Sequence, residues 1–441
     1  MEALPSSLLY YTQQIANFTR NQIKINPLNT ASLASDGAQQ LRVSLPVNSI
    51  ANMKSLTMHT EMTVRGRTES PAGAGNAKGG LIPRGGAAAV LDRVTFACGG
   101  VSLDNGTTPY YAVQAVRENL KKGSQKYMSD DCVIAQGVLK EHETIPAAGA
   151  NQGPTELAVT NFGGFTECEP CFLDLNLIPE VQVTIQLAPK YTVPFQWQGK
   201  SLGEDKTVAA ANVNDCEFSL DKIYFSLEVI QIGSGIYDVL TQRIMAERGS
   251  LDVPYPQFQV FRSESQSASA TGSVSCMSLD RIMVTTRGKT GDSNYQTQTY
   301  ARGPVPGSKT WSHTQLATKF AANDAREWQM QVNNAPRPLY RVKEGAESFA
   351  IAVNADDRSY SHSRGGLVSS PDMWKDYSWC AVQRLKFDED PRRLSGLNLS
   401  SINSQLAYTP SNPASGAEVL MITEQTSILR IGGGRAVAVV A

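Results

Sequence analysis

Along most of this chain apolar and polar residues alternate with a period of two, and that pattern limits the fold more than any other feature. From Val181 to Leu187 the run reads Val-Gln-Val-Thr-Ile-Gln-Leu, so Val181, Val183, Ile185 and Leu187 share one side and Gln182, Thr184 and Gln186 the other. A period of two belongs to an extended strand with one buried face. The same pattern appears in Leu41 to Pro46 and Ser55 to Val64, and runs longest in Phe218 to Ile232. Further strands are expected at Asp92 to Ser102, Cys171 to Ala188, Gln257 to Arg262, Ser273 to Met277, Arg281 to Thr286 and Trp328 to Val332. The remainder are Ser348 to Val353, Ser378 to Phe387, Gln405 to Tyr408 and Glu418 to Val440, the last turned at Gly432-Gly433-Gly434. Helical spacing is confined to Tyr110 to Lys122, stopped by Gly123, and Ile236 to Glu247, stopped by Gly249.

A parallel sheet needs a crossover helix between most of its strands, and two helices are too few. The pattern therefore predicts an all-β chain with antiparallel sheets. Two halves of roughly 200 residues, each with about eight short strands, fit two tandem eight-stranded antiparallel jelly rolls with a few short helices and long loops. The expected division is an N-terminal arm over residues 1–37, a first roll over 38–249 and a second over 250–441. Long loops are expected at Pro71 to Ala89 and Pro146 to Pro154, and a polar loop around Gly303, Pro304, Pro306 and Gly307.

Composition narrows the function. The 441 residues carry 40 basic and 41 acidic side chains, a net charge of −1, without the basic tract of a nucleic-acid binder. Charged residues are 18% of the chain, below the ~25% of ordinary soluble proteins, which suits surfaces that become buried against partners. Met1 to Arg20 lacks the pattern of a secretory signal, and no apolar run is long enough for a transmembrane helix. Seven scattered cysteines suit free thiols in a reducing compartment.

Cys168-Glu-Pro-Cys171 has the spacing of a zinc half-site or a dithiol pair. Zinc needs two more ligands, and no second CxxC or HxxxH exists; a redox pair opens a helix, while Cys171 leads into a strand. A turn with free thiols is the expected outcome. The four histidines, His59, His142, His313 and His362, are scattered, and His59 sits on a strand as a hydrogen-bonded or surface residue. Glu141-His142-Glu143 and Asp388-Glu389-Asp390 read as solvated turns. Gly432-Gly433-Gly434 lacks the Lys-Ser/Thr of a phosphate loop. Trp374, Tyr377 and Trp379 are assigned to core and rim packing; exposed, they would form a sugar platform or an interface anchor. No residue is nominated as catalytic, cofactor-binding or metal-binding, and no enzyme is expected.

Three stretches carry a family resemblance. They are Phe172 to Ala188; Leu220 to Tyr255 with DKIYFSLEVIQI, YDVLTQRIMAERG and LDVPYPQF; and Leu394 to Leu399 followed by Gln405 to Tyr408 and QTSILRIGGGRAVAVV. In this order, over about residues 38–441, the chain resembles the double jelly-roll major capsid proteins, the lineage of adenovirus hexon. It looks most like the smaller members from Polinton-type elements, adintoviruses and adomaviruses. The resemblance implies a homotrimer whose six rolls make a pseudo-hexagonal capsomer of an icosahedral virion, made in the host cytoplasm. Loops at Pro71 to Ala89, Pro146 to Pro154, Gln198 to Asn214 and Thr286 to Lys309 would rise on its outer face and residues 1–37 would lie beneath it. The implied partners are neighbouring capsomers and penton or minor capsid proteins, without sequence-specific nucleic-acid contact; contact with an internal membrane is left open. Rival readings are a tandem jelly-roll carbohydrate-binding protein, a minor virion component, and a cupin-like enzyme, which would need clustered His and Glu ligands.

Overall fold

The computed structural model describes residues 18–34, 39–47, 49–66, 78–80, 87–104, 109–120, 143–144, 151–160, 162–188, 195–197, 216–232, 242–243, 245–247, 249–263, 269–288, 299–301, 310–312, 326–355, 379–388, 393–400, 404–412 and 417–440. The first half contains β1 (Phe18–Ile25), β2 (Leu33–Ala34), β3 (Gln40–Ser44), β4 (Ile50–Gly66), β5 (Lys78–Gly80), β6 (Leu91–Cys98) and β7 (Val101–Ser102). Helix α1 (Tyr110–Leu120) follows, then β8 (Glu143–Thr144), β9 (Asn151–Val159), β10 (Phe172–Asp174), β11 (Val181–Leu187), β12 (Phe195–Trp197) and β13 (Cys216–Ile232). The second half contains β14 (Ser250–Ser263), β15 (Ala270–Val274), β16 (Leu279–Gly288), β17 (Thr299–Ala301), β18 (Thr310–Ser312), β19 (Glu327–Val332) and β20 (Ala335–Lys343). It ends with α2 (Ala346–Asn354), β21 (Ala381–Arg384), β22 (Ser404–Ser411), β23 (Ala417–Gly432) and β24 (Val437–Val440).

The pairing repeats. In the first half β1-β13-β4-β10 form one sheet, with β2 continuing β1 along β13 and β9 continuing β10 along β4; β3-β11-β6-β7 form the other. With β1/β2 and β9/β10 each counted as one strand, the chain-order positions in the sheets are 1-8-3-6 and 2-7-4-5. In the second half β14-β23-β16-β21 and β15-β22-β19-β20 give the same two orders, with β24 extending the β16 position along β23. This is the jelly-roll arrangement, twice. Every neighbouring pair is antiparallel. Each of these four sheets draws its strands from one side of Gly249.

Short connections orient the strands. β3 to β4, β6 to β7 and β10 to β11 turn at one end of the first roll, so the long connections β4–β6, β7–β9 and β11–β13 all leave from the other. Each of the three long ones contributes a strand to a small sheet, β12-β5-β8. In the second roll β15–β16 and β19–β20 are likewise opposite to β16–β19, which holds the β17-β18 hairpin. Because β13 and β23 run antiparallel to β4 and β16, the start of β1, the end of β13, the start of β14 and the end of β23 all lie at the short-turn ends.

Burial follows the alternation. In β11 the four apolar residues are buried and the three polar ones half-exposed, and β19 repeats this with Trp328, Met330 and Val332. In β13 the buried set changes phase, from Phe218 and Leu220 to Ile223, Phe225, Leu227 and Val229. The register with β4 shifts between Asp221 and Tyr224, where Lys222 has φ 52°. One extra residue returns the apolar side to the core, the work of a β-bulge.

Several expectations require correction. Residues 18–34 fall within the expected arm of residues 1–37, yet they supply the first strand of the first sheet. Without β1 and β2 the whole outer side of β13 would be an unpaired edge. The strand expected at Ser348 to Val353 is helix α2. Ser348, Ala352 and Ala355 are buried at i, i+4 and i+7, the spacing of one helical face. Trp328 on β19 donates its indole N–H to Ser348 Oγ at 3.0 Å, and the amide of Phe349 bonds the carbonyl of Gly345 at 3.0 Å. The loop expected at Pro146 to Pro154 gives way at Asn151 to β9. Strand β20, whose Pro336 and Pro338 argue against a central strand, occupies a sheet edge, where proline is tolerated. Residues 242–243 and 245–247 are helical, and Gly249, at φ 74°, closes that turn with its amide on the carbonyl of Met245 at 2.8 Å.

Because the Ser348 hydroxyl is what satisfies the buried indole N–H, Ser348→Val is expected to destabilise the protein by about 1–3 kcal/mol. Denaturant unfolding checks this; an unchanged midpoint would remove α2 from that contact.

Candidate functional site: the seam between the rolls

The sheets divide at Gly249, but the cores interlock. Val253 and Tyr255 of β14 and Leu429 and Ile431 of β23 belong to the first roll's core, whereas α1 packs into the second roll's core. Tyr255 is the deepest intruder. Its ring meets Phe165 edge-on, centroids 5.3 Å apart at 85°, and its hydroxyl donates to the carbonyl of Leu103 at 2.8 Å. Gln257, two residues on and on the same side of β14, donates to that carbonyl at 3.2 Å. Its own Oε1 accepts from Gln425 Nε2 at 2.8 Å and Ser427 Oγ at 2.7 Å, so the polar ladder on β23 is tied to the first roll. A backbone bond from Glu169 N to Pro254 O, 2.9 Å, also crosses the seam.

Two glycines make this closeness possible. Gly163 and Gly164 have φ of 68° and 55°, in the left-handed region that favours glycine. A Cβ on Gly163 would stand 2.6 Å from Arg117 Nη1, and one on Gly164 2.9 Å from Asp104 Oδ1. Above them Tyr110 Oη and Gln114 Nε2 donate to the carbonyl of Phe162, at 2.8 and 3.3 Å. Arg117 donates twice to Glu167, both at 2.7 Å, and its guanidinium lies 4.7 Å over the ring of Phe258 from the second roll.

Charge in this seam is rationed. Burial pushes the Asp104 carboxyl up to about 7, against a single amide donor, Phe96 N–H at 3.2 Å. Burial alone would lower the pKa of Arg117; Glu167 beside it, with Glu424 of the second roll adding its field, reverses that and keeps the guanidinium charged. Burial likewise raises the Tyr255 phenol, which stays a donor.

The residues singled out in the sequence fall elsewhere. Cys168 is buried at the end of a single turn over Gly164–Glu167, its thiol pushed up to about 12 by burial. Cys171 is half-buried and leads into β10, and both are free thiols. A thiol raised in this way is a poor nucleophile near neutral pH. His59, on β4, sits with Nε2 2.9 Å from Ser226 Oγ, stacked 4.7 Å from Tyr224, and burial lowers its pKa. Trp379 is fully buried in the second core, its carbonyl accepting from Thr285 Oγ1 at 2.8 Å. Asp388 pairs with Arg393 at 2.9 Å. Gly432, Gly433 and Gly434 form the turn between β23 and β24. Glu141, His142, His313, His362, Trp374, Tyr377, Glu389 and Asp390 lie outside the described residues, as do all of Gln198 to Asn214 and most of Thr286 to Lys309. Among the described residues no group of three His, Cys, Asp or Glu is placed to hold a metal ion, and no helix is long and apolar enough to cross a membrane.

No protein-family model and no curated protein matches the chain. Solved structures do. PBCV-1 VP54, fitted into a reconstruction of the Sputnik virophage, matches with a TM-score of 0.58 at 13% identity, over 99% of this chain and 100% of its own. The Faustovirus major capsid protein matches at 0.57 and 11% identity, over 96% and 92%. A chain of the Sputnik virophage matches at 0.52 and 11% identity, over 100% and 92%. This chain has the double jelly-roll fold.

In this double jelly roll the seam residues escaped the sequence reading. The Gly163-Gly164 pair was the available signal, since adjacent glycines before a buried Phe mark a close backbone approach. Arg117 was hidden because one cation on an amphipathic helix reads as solvated. Removing it would take away the cation that Glu167 binds through both carboxylate oxygens in a mostly buried site, so Arg117→Ala is expected to cost about 3 kcal/mol; denaturant unfolding checks the loss. Asp104 sets a pH dependence. A carboxyl whose folded pKa is raised contributes stability that is complete below its ordinary value of 3.8 and is lost as pH rises to about 7. The melting temperature should therefore fall across that window, and Asp104→Asn should flatten that part of the profile; an unaltered profile would mean that Asp104 ionises freely.

Proposed function

We propose that the chain is a major capsid protein, three copies of which close into a pseudo-hexagonal capsomer that tiles an icosahedral virus shell. The observation that carries this reading is the pairing of two rolls of identical strand order, joined so that long connections gather at one end of each roll and chain ends at the other. Three such chains place six equivalent rolls in a ring. The full-length fold match to the Faustovirus major capsid protein supports the same reading. On this proposal the rolls divide at Gly249. The loop ends face outward, and the chain resides in the virion with neighbouring capsomers and penton or minor capsid proteins as partners. The chemistry is assembly: hydrophobic burial folds each roll, and shape-matched interfaces close the ring without catalysis.

The carbohydrate-binding alternative relied on an exposed aromatic platform that included Trp379, and full burial of that residue weighs against it. Light scattering of the purified chain is expected to give three times the 47.7 kDa chain mass, and electron microscopy a three-fold particle with a hexagonal outline. A mass that stays monomeric at all concentrations would remove the capsomer reading.

A further inference from the structure

The corresponding sheet faces of the two rolls have opposite fates. On the second roll, the outward side of β14-β23 is covered by the first roll, through Val253, Tyr255, Leu429 and Ile431. On the first roll, Ile23 and Ile25 of β1 turn inward to their own core, so Phe18 and Lys24, with Ile232 opposite Phe18 on β13, lie on the outward side. That side is bare: Phe18 is 51% and Ile232 38% exposed.

The covering surface has a counterpart too. In the first roll the turn between β6 and β7, α1 and the segments flanking β10 press on the second roll; the Gly99 turn, for example, lies against Pro179 and Val437. The topological equivalents in the second roll are the β19–β20 turn, α2 and the segments flanking β21; the first leads into β20 and the last runs on after β21. Those positions carry Leu339 at 86%, Tyr340 at 54%, Phe387 at 92% and Leu394 at 36% exposure. Most of the exposed large apolar side chains among the described residues thus fall on just two surfaces, and these occupy equivalent places to the two sides of the internal seam.

We infer that the second roll of one copy docks, through β20 and the segment around Phe387, on the outward β1-β13 face of the first roll of another copy. The contact is head-to-tail, since two different surfaces meet. A contact between two different surfaces closes into a ring when its rotation permits, and on the capsomer reading that ring holds three chains. The inference rests on the capsomer reading and assigns its interface to specific residues.

Two variants test it: Leu339→Asp with Phe387→Asp on one surface, and Phe18→Asp with Ile232→Asp on the other. Each alone is expected to be monomeric at concentrations at least tenfold above those at which the unaltered chain is trimeric, with an unchanged melting curve. Mixed in equal amounts, the two should form dimers, because each retains the surface that the other has lost. If the Asp variants melt early, Leu339→Ser with Phe387→Ser and Phe18→Ser replace them. Variants that remain trimeric beside a trimeric parent would overturn this interface and leave the capsomer reading standing. A parent that is monomeric throughout would overturn both.

Discussion

The burial of one side of β14 inside the neighbouring roll is the constraint on which the rest of the molecule depends. Tyr255 brings a large apolar ring and a hydroxyl into the first core, and the ring can be buried there because the hydroxyl finds the carbonyl of Leu103. Gln257 extends the same solution, joining Leu103 to Gln425 and Ser427. A polar group without a partner in this seam would cost more than its hydrogen bond gains. The relative placement of the two rolls is therefore specified by hydrogen-bond direction as well as by apolar area. Arg117 adds a second tether, held between Glu167 of its own roll and the face of Phe258 from the other.

From that placement comes the polarity of the molecule. Antiparallel order in each roll assigns short turns to one end and long connections to the other, and the start of β14 shares the short-turn end with the end of β13. Long insertions can vary at the loop end without disturbing the sheets, because loop closure entropy grows slowly with length. The Gly99-Gly100 turn, at the short-turn end, lies near Val437 of the second roll, while α1, on the long β7–β9 connection, enters the second core.

How much of this was legible in the sequence depended on whether burial had one side or two. Where a strand faces one core and solvent, as in β11, the period of two is clean and the strand was readable. The phase change in β13 was present in the letters as well, since Lys222 separates two apolar series that only a bulge can bring to one face. In α2, by contrast, Ser-Phe-Ala-Ile-Ala-Val alternates well enough for a strand. Only the position of Trp328 makes Ser348 and Ala352 a buried helical face. β20 was hidden by its prolines, and β1 by polar residues on an edge whose outward face meets no core within this chain. The seam residues Asp104, Arg117 and Gln257 carry no pattern, because their partners lie far away in sequence.

The sequence by itself determined an all-β chain of two successive rolls, the turn at Gly432-Gly433-Gly434, the helix at Tyr110 and the lack of a recognisable catalytic or metal motif. Those are local properties, written in periodicity and spacing over a few residues. Only the tertiary structure decided that β1 completes the first sheet, that Ser348 lies on a helix, and that the two cores interlock through Tyr255 and α1. It also decided which charges are buried at the seam and which apolar side chains remain uncovered. Each of these depends on contacts between segments distant in the chain, and a one-dimensional pattern records which residues seek burial without recording what they are buried against.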